Sequence, residues 1–316
     1  MNNNFINEIN KKRKKYLLNA LWGSIFVIIG MCLIQVIQLK TSAYKELTFI
    51  CVNLFVTLPI VIGVFVTCSK IFSHNVSLMT IYAIADQLKG FKKIPLTNLE
   101  NREYDSYLPS EIDWAKLPVP PEKVLFSTIL QRFDIHHIEL RTMFSGINNS
   151  QQPVNLSELT VFKDFHFGQP EKVFNALILT VKTDKNLNSI TYFQTHFDYL
   201  KEEFDAKLTK INLAKNIDTY TDNTDIARKL ATPELMQLLT KLKKQFKVEC
   251  AKVVFHNEYI VFVLRSLEEE GYMHNYFPVN ISLLTPFDIT KAGKAVENFQ
   301  TIYDLANKAP DFTKNV

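Results

Sequence analysis

Two long runs of apolar residues near the N-terminus constrain this chain more strongly than any other part of its sequence. The runs are Leu17–Leu39 and Leu47–Ser69, and neither contains an Asp, Glu, Lys, Arg or His. A helix of about 20 apolar residues is long enough to cross the hydrocarbon core of a bilayer. The sequence therefore predicts two transmembrane helices, joined as a hairpin by the short polar segment between the runs.

A cluster of five consecutive basic residues just before the first run sets the predicted orientation of the hairpin. This basic cluster consists of Lys11, Lys12, Arg13, Lys14 and Lys15. The only basic residues in the connection between the runs are Lys40 and Lys45. Because basic residues beside membrane spans remain preferentially in the cytoplasm, both chain ends are predicted to be cytoplasmic, with Thr41–Glu46 as a short external turn.

A cleaved secretory signal is the alternative interpretation of the first run. Such a signal has an apolar core of about 7–15 residues, followed by a cleavage site made of small residues. The first run is longer, it ends in Gln38, Leu39 and Lys40, and a second apolar run follows closely. Membrane anchoring is therefore the preferred interpretation.

The charges of the chain restrict its partners. The formal net charge is +4, and the basic cluster alone accounts for it. Once this cluster is assigned to the membrane surface, no basic face remains for nucleic acid. The apolar runs also lack the ionisable residues that mark transport pathways, so they are predicted to anchor and pack. The predicted partners are the lipid bilayer and another protein, with no nucleic acid.

The predicted organisation has four parts. Residues 1–16 form a basic cytosolic N-terminus, residues 17–69 the hairpin, residues 70–121 a helical extension with a Pro-punctuated connector, and residues 122–316 a cytosolic domain. Strand-like and helix-like segments follow each other in this domain without regular βαβ alternation. The predicted fold class is α+β, with antiparallel hairpins after the two N-terminal helices.

The clearest signals for single elements lie in the last third of the chain. Thr232 is suited to cap a helix whose first turn contains Pro233. A β-hairpin is predicted from Val248–Phe255 and Tyr259–Leu264, with its turn at residues 256–258.

Apolar spacing predicts two further helices. Phe193–Leu208 carries a large apolar side chain at every third or fourth position, which is typical of one helix face. A final helix is predicted from about Asp288 to Asn307. Its expected buried residues are Ile289, Val296, Phe299 and Tyr303.

Several of these segments together resemble a known family. They are Tyr220-Thr221-Asp222, Ala227-Arg228, Thr232-Pro233-Glu234-Leu235-Met236, the hairpin ending in Glu258-Tyr259-Ile260, and the strand segment Thr160–Phe165. The sequence is similar to the uncharacterised bacterial family called domain of unknown function 3137. The resemblance implies two N-terminal spans followed by a cytosolic domain in a bacterial plasma or inner membrane, and it brings no catalytic residues with it.

The sequence contains none of the following common catalytic, nucleotide-binding or metal-binding motifs. The eight glycines form neither G-x-G-x-x-G nor G-x-x-x-x-G-K-[ST], and H-E-x-x-H and G-x-S-x-G do not occur. No catalytic residue, cofactor or metal site is therefore predicted. Asp222, Asp225 and Arg228 form a candidate polar cluster, either as a group of ion pairs or, as we prefer, as the turn that begins a helix.

The sequence leaves three functions open. The preferred hypothesis is a membrane-anchored cytosolic interaction or scaffold module without enzymatic activity. The alternatives are a membrane-bound enzyme with its active site in the α+β domain and an accessory subunit of a larger membrane complex. The first alternative requires a pocket with convergent polar groups.

Overall fold

The computed structural model of the chain describes residues 3–39, 53–87, 91–93, 104–105, 135–163, 171–195, 208–266 and 276–316. The chain divides into two compact units. One unit contains Met1–Ala83 with Pro278–Lys294, and the other contains Ile84–Phe277 with Ala295–Val316. The first unit therefore combines the N-terminal helices with a segment from near the C-terminus.

Two long helices dominate the first unit. Helix α1 is Asn3–Leu39, and helix α2 is Leu58–Gln87, which follows a π-helical turn at Asn53–Thr57. Both helices are long and apolar enough to cross a membrane by length and composition, and only 11% of the most apolar window of each is buried. Large side chains are correspondingly exposed, including Phe26 at 69% of its surface.

The two helices run antiparallel, and their contacts define the register. The ring centroids of Tyr16 and Phe72 are 5.6 Å apart, and the Asn75 side-chain amide donates to the Tyr16 hydroxyl at 3.1 Å. Further along, a Cβ atom added to Gly23 would lie 3.2 Å from Cγ1 of Val64. Positions 16 and 23 of α1 therefore lie beside positions 72 and 64 of α2.

A C-terminal segment holds the first part of α1. The Asn10 side chain donates to the Phe287 carbonyl at 3.0 Å and accepts from the Phe287 N–H at 2.9 Å. The Arg13 guanidinium donates to the carbonyls of Leu283 and Leu284 at 3.3 and 3.4 Å. We call this set of contacts the clasp, because it joins parts of the chain that are far apart in sequence.

The second unit is built on an antiparallel sheet whose strands differ in length. Its strands are β1 (Phe91–Lys93), β2 (Tyr104–Asp105), β3 (Ile135–Ile147), β4 (Pro153–Lys163), β5 (Glu171–Lys182), β6 (Ile190–Thr195), β7 (Thr209–Ala214), β8 (Ile217–Thr221), β9 (Cys250–His256) and β10 (Tyr259–Ser266). The order is β1-β3-β4-β5-β10-β9-β6-β8-β7, with β2 also paired to β3. All of these pairings are antiparallel. The prediction of mixed helices and antiparallel sheet is thus confirmed.

Hydrogen bonds and backbone conformations of nearby residues determine where the helices and the hairpin turn of this unit lie. Helix α3 is Thr224–Leu230, α4 is Pro233–Phe246, and α5 is Gly293–Lys308. The Thr232 hydroxyl accepts from the Leu235 N–H at 3.3 Å, which confirms the predicted cap. Asn257, at φ 51°, supplies the left-handed turn of the predicted hairpin, now β9 and β10.

The final helix completes the core of the sheet unit. Phe299 of α5 is fully buried, with its ring 5.4 Å from that of Phe144 and 4.0 Å from that of Phe277. The helix lies where the sequence predicts it. The prediction that Ile289 and Val296 are buried is wrong, because these side chains are 42% and 40% exposed. The buried positions of α5 include Ala295, Asn298 and Ile302. Asn298 can be buried because its amide donates to the Tyr276 carbonyl and its side-chain oxygen accepts from Gln245.

The predicted helix at Phe193–Leu208 is wrong at its start. Phe193 lies in β6, opposite Val253 of β9 and Thr219 of β8. Residues 196–207 lie outside the described residues. Aromatic spacing of three or four suits a helix, but β6 gains strand partners on both sides that are distant in sequence, and such tertiary context overrides local preference.

Candidate functional site

A cavity in the first unit lies between α1 and α2. Its volume is about 510 Å³. It is lined by Lys12, Lys15, Tyr16, Asn19, Asn75, Val76 and Met79. The four residues from α1 are spaced at i, i+3, i+4 and i+7, which places them on one helix face. The cavity is therefore a product of helix periodicity and of the antiparallel contact between the two helices.

Lys12 is held at one side of this cavity. Its ammonium nitrogen lies 3.3 Å from Oε1 of Glu8 and 3.0 Å from Sδ of Met79. The side chains of Lys12 and Glu8 are 43% and 54% exposed, so water screens this ion pair. Its net free energy is accordingly small, and Lys12 can exchange Glu8 for another anion at little cost.

Lys15 and Asn19 supply further donors. In the stretches of α1 and α2 whose side chains the structure describes, neither residue forms a hydrogen bond or ion pair. Tyr16 accepts a hydrogen bond from Asn75, which leaves its own hydroxyl proton available. The cavity is thus lined by two ammonium groups, the Asn19 amide and the Tyr16 hydroxyl. A set of hydrogen-bond donors of this kind is suited to bind an anion.

The structure gives the members of the basic cluster different positions. Lys12 and Lys15 line the cavity, and Arg13 belongs to the clasp. Lys11, Lys14 and Lys15 are exposed, but Lys11 and Lys14 do not line the cavity. The sequence predicts one membrane-facing group, and the structure gives its members different contacts. Sequence reasoning did not assign Tyr16, Asn19 or Asn75 to a site. Tyr16 follows Lys12 by four residues and Asn19 follows Lys15 by four, and this spacing was available as a signal.

The predicted polar cluster lies at the entry to α3. The Asp222 carboxylate accepts from the N–H of Ile190 at 3.0 Å and thereby fixes the start of β6. Asn223, rather than either aspartate, caps α3 by accepting from the N–H groups of Asp225 and Ile226. Among the described residues, no ion pair joins Asp225 to Arg228, and both are exposed. These positions correspond to the turn that begins a helix.

A row of aromatic and basic side chains crosses the sheet unit. The Lys252 ammonium lies 4.0 Å from the ring centroid of Tyr192, which stacks on Tyr220 at 4.9 Å, and Lys210 lies 5.5 Å from the Tyr220 ring. Direct pairing of β9, β6, β8 and β7 places all four on one face of the sheet. The row stabilises the sheet through cation–π and stacking contacts.

Lys210 and Tyr259, both in the described part of the sheet unit, have shifted pKa values. A hydrogen bond to Asp218, at 2.8 Å, is the main reason that the pKa of Lys210 lies above its ordinary value. Burial is the main cause of the raised pKa of the Tyr259 hydroxyl. Both groups therefore keep their neutral-pH charge state, and neither has the lowered or centred pKa that general acid–base catalysis would use. Within the described ranges, no three His, Cys, Asp or Glu side chains gather to hold a metal ion.

Comparison with known proteins identifies no family. No family model and no curated protein matches the sequence. The structure is similar to the crystal structure of the mycobacterial trehalose monomycolate transport factor A, at 10% identity over 55% of this chain and 74% of that chain, with a TM-score of 0.30. A similarity of this degree carries no argument about activity, and the resemblance to domain of unknown function 3137 stays a prediction.

Proposed function

We propose that this protein is anchored in a membrane by α1 and α2, and that its sheet unit is a cytoplasmic interaction module without enzymatic activity. The observation that supports the anchor is the exposure of the two apolar helices, each with only 11% of its most apolar window buried. Soluble proteins rarely expose apolar patches of this extent to water. A bilayer covers such surfaces, and helices satisfy their own backbone hydrogen bonds within it.

The register of the helices also supports the anchor. The contact between Tyr16 and Phe72 sets the start of one apolar stretch level with the end of the other. Lys70 and the basic cluster then mark the same end of the hairpin, which the positive-inside rule assigns to the cytoplasm. At about 1.5 Å per residue, Leu17–Leu39 extends about 34 Å and exceeds a hydrocarbon core of about 30 Å.

The anchor is tested by extraction and by labelling. We expect the full chain to stay with membranes in alkaline carbonate and to leave them only in detergent. Single cysteines in place of Ser42 and of His74, in a chain without its natural cysteines, report the topology. A membrane-impermeant maleimide should label the cysteine at position 42 in intact cells and the one at position 74 only after lysis. Release by carbonate, or the opposite labelling pattern, contradicts the proposal.

The interaction module is a separate part of the proposal. It is supported by the combination of a plain two-helix anchor with a large folded sheet. Cross-linking in intact membranes, followed by purification of the full chain, should recover one reproducible cross-linked species, either a second protein or a second copy. Failure to find any species above an untreated control contradicts this part and favours the alternative of a membrane-bound enzyme.

The location in a bacterial inner membrane and membership of the family named above are also proposals. They are supported by the sequence segments around Thr160, Tyr220 and Thr232 that resemble that family. Fractionation of the source cells tests the location. Recovery of the protein in any other membrane contradicts it.

A further inference from the structure

The cavity between α1 and α2 has the features of a binding site that the anchor alone does not require. Two lysines, the Tyr16 hydroxyl and the amides of Asn19 and Asn75 line about 510 Å³ of space, a volume within the range of about 300–1,000 Å³ that is usual for small-molecule sites. Asn75 already donates to Tyr16, so the other four groups are the candidate donors to a ligand. All four groups donate hydrogen bonds. The ligand they match is an anion with several acceptor oxygens and at least one negative charge, which describes a phosphate ester.

The position of the cavity distinguishes a lipid phosphate from a soluble one. Tyr16 lines the cavity, and Leu17, the next residue, begins the apolar run. If the hairpin spans a bilayer, the donors lie at the level of the lipid headgroups. On the side of α2, the apolar side chains of Val76 and Met79 line the cavity beside Asn75. These apolar side chains can contact the glycerol and upper acyl region of a phospholipid, while the lysines bind its phosphate. A free phosphate ion has no apolar part to make such contacts.

We propose that this cavity binds the headgroup of an anionic phospholipid, with its phosphate held by Lys12 and Lys15. The inference rests on the proposed membrane anchor. Basic pockets between helices on the cytoplasmic side of a membrane are suited to such headgroups. The phosphate displaces Glu8 from Lys12 and takes further hydrogen bonds from Asn19 and Tyr16.

The test measures the binding of single lipids to the full chain in a neutral detergent. Native mass spectrometry counts bound phosphatidylglycerol and, as the zwitterionic comparison, phosphatidylcholine. The variant Lys12→Gln/Lys15→Gln removes the two cavity lysines. The matched control Lys11→Gln/Lys14→Gln removes the same charge from positions of the same helix that do not line the cavity. Circular dichroism checks that both variants keep their helices.

The expected result is a preference for phosphatidylglycerol that only the cavity lysines supply. A hydrogen bond between a lysine and the lipid phosphate contributes about a tenfold change in binding at the low end of the usual range, so the cavity variant, which loses two, should bind at least roughly 30-fold more weakly. The control should stay within about twofold of the natural chain. Asn19→Asp, which preserves the shape and adds one negative charge, should weaken binding by about fivefold.

Other outcomes overturn the proposal. Equal losses in the cavity and control variants would mean that the lysines attract lipid only as diffuse charge. Equal binding of the two lipids would remove the headgroup specificity. Inorganic phosphate that competes with phosphatidylglycerol at millimolar concentration would assign the site to a soluble anion. A chain that is released by carbonate fails as an anchored protein, whereas a chain that stays inserted but does not select the anionic lipid fails only this inference.

Discussion

Replacing Phe299 by alanine should destabilise the sheet unit strongly, because this ring joins α5 to the core. Phe299 is fully buried and contacts two rings, Phe144 edge-on and Phe277 in a stack. Loss of the buried ring costs about 2 kcal/mol, and each aromatic pair adds about 1 kcal/mol. The sum, about 4 kcal/mol, lies within the usual range of about 3–5 kcal/mol for such substitutions.

The melting temperature makes this magnitude measurable. For a unit of this size, 1 kcal/mol shifts Tm by about 2–4 °C, so Phe299→Ala should lower it by about 8–16 °C. Cys250, buried in β9, is a built-in reporter. In a chain whose other three cysteines are replaced by alanine, a maleimide labels Cys250 only as the sheet unit opens, and labelling against temperature gives Tm in mild detergent.

A matched control tests whether the effect comes from the ring contacts. Val296 lies on the same helix and is 40% exposed, so Val296→Ala should change Tm by no more than about 2 °C. Equal melting of the two variants would refute the reasoning, because it would mean that α5 contributes nothing specific to the core of the sheet.

Three further predictions concern the first unit. Gly23→Leu should speed hydrogen–deuterium exchange in α1 within detergent micelles, because a Cβ at position 23 would lie 3.2 Å from a Val64 atom. Gly30→Leu should not speed exchange, since nothing lies within 4 Å of a Cβ at position 30. Equal exchange in the two variants would contradict the helix register. Asn10→Asp cannot donate to Phe287, so it should cost about 1–3 kcal/mol and speed exchange around residue 287, which the same change at the exposed Asn7 should not do. Hydrogen bonds from Thr290 lower the pKa of Asp288 below its ordinary 3.8, so its contribution is complete above about pH 4 and is lost as pH falls through the lowered pKa. The Thr290 amide resonance should therefore titrate below pH 4 in the natural chain and stay constant in Asp288→Asn, and titration in both would refute this assignment.

Elements with local signals could be predicted from the sequence. Thr232 and Pro233 determine where α4 begins, and the turn around Asn257 joins two strands close to the predicted positions. In both cases the decisive atoms are within a few residues of each other. Local hydrogen bonding and backbone preference were therefore sufficient.

Elements that depend on distant partners could not be predicted. Phe193 belongs to a strand because β8 and β9 pair with it on both sides, and Lys252 is only 7% exposed because it packs on an aromatic ring of a neighbouring strand. In the candidate site, the lysines were visible as charges. The placement of Lys12 and Lys15 at the cavity and of Arg13 in the clasp follows from contacts with α2 and with the Leu283 and Leu284 carbonyls, which have no sequence signature.

The clasp has a consequence for the time course of biosynthesis. Asn10 and Phe287 are 277 positions apart, and translation adds about 5–20 residues per second. Helix α1 therefore leaves the ribosome roughly 15–55 s before the segment that holds it. During that interval the side chains of Asn10 and Arg13 must be satisfied by water or by a chaperone. A nascent chain that stalls before residue 287 would carry both N-terminal helices and still lack the contact that completes their unit.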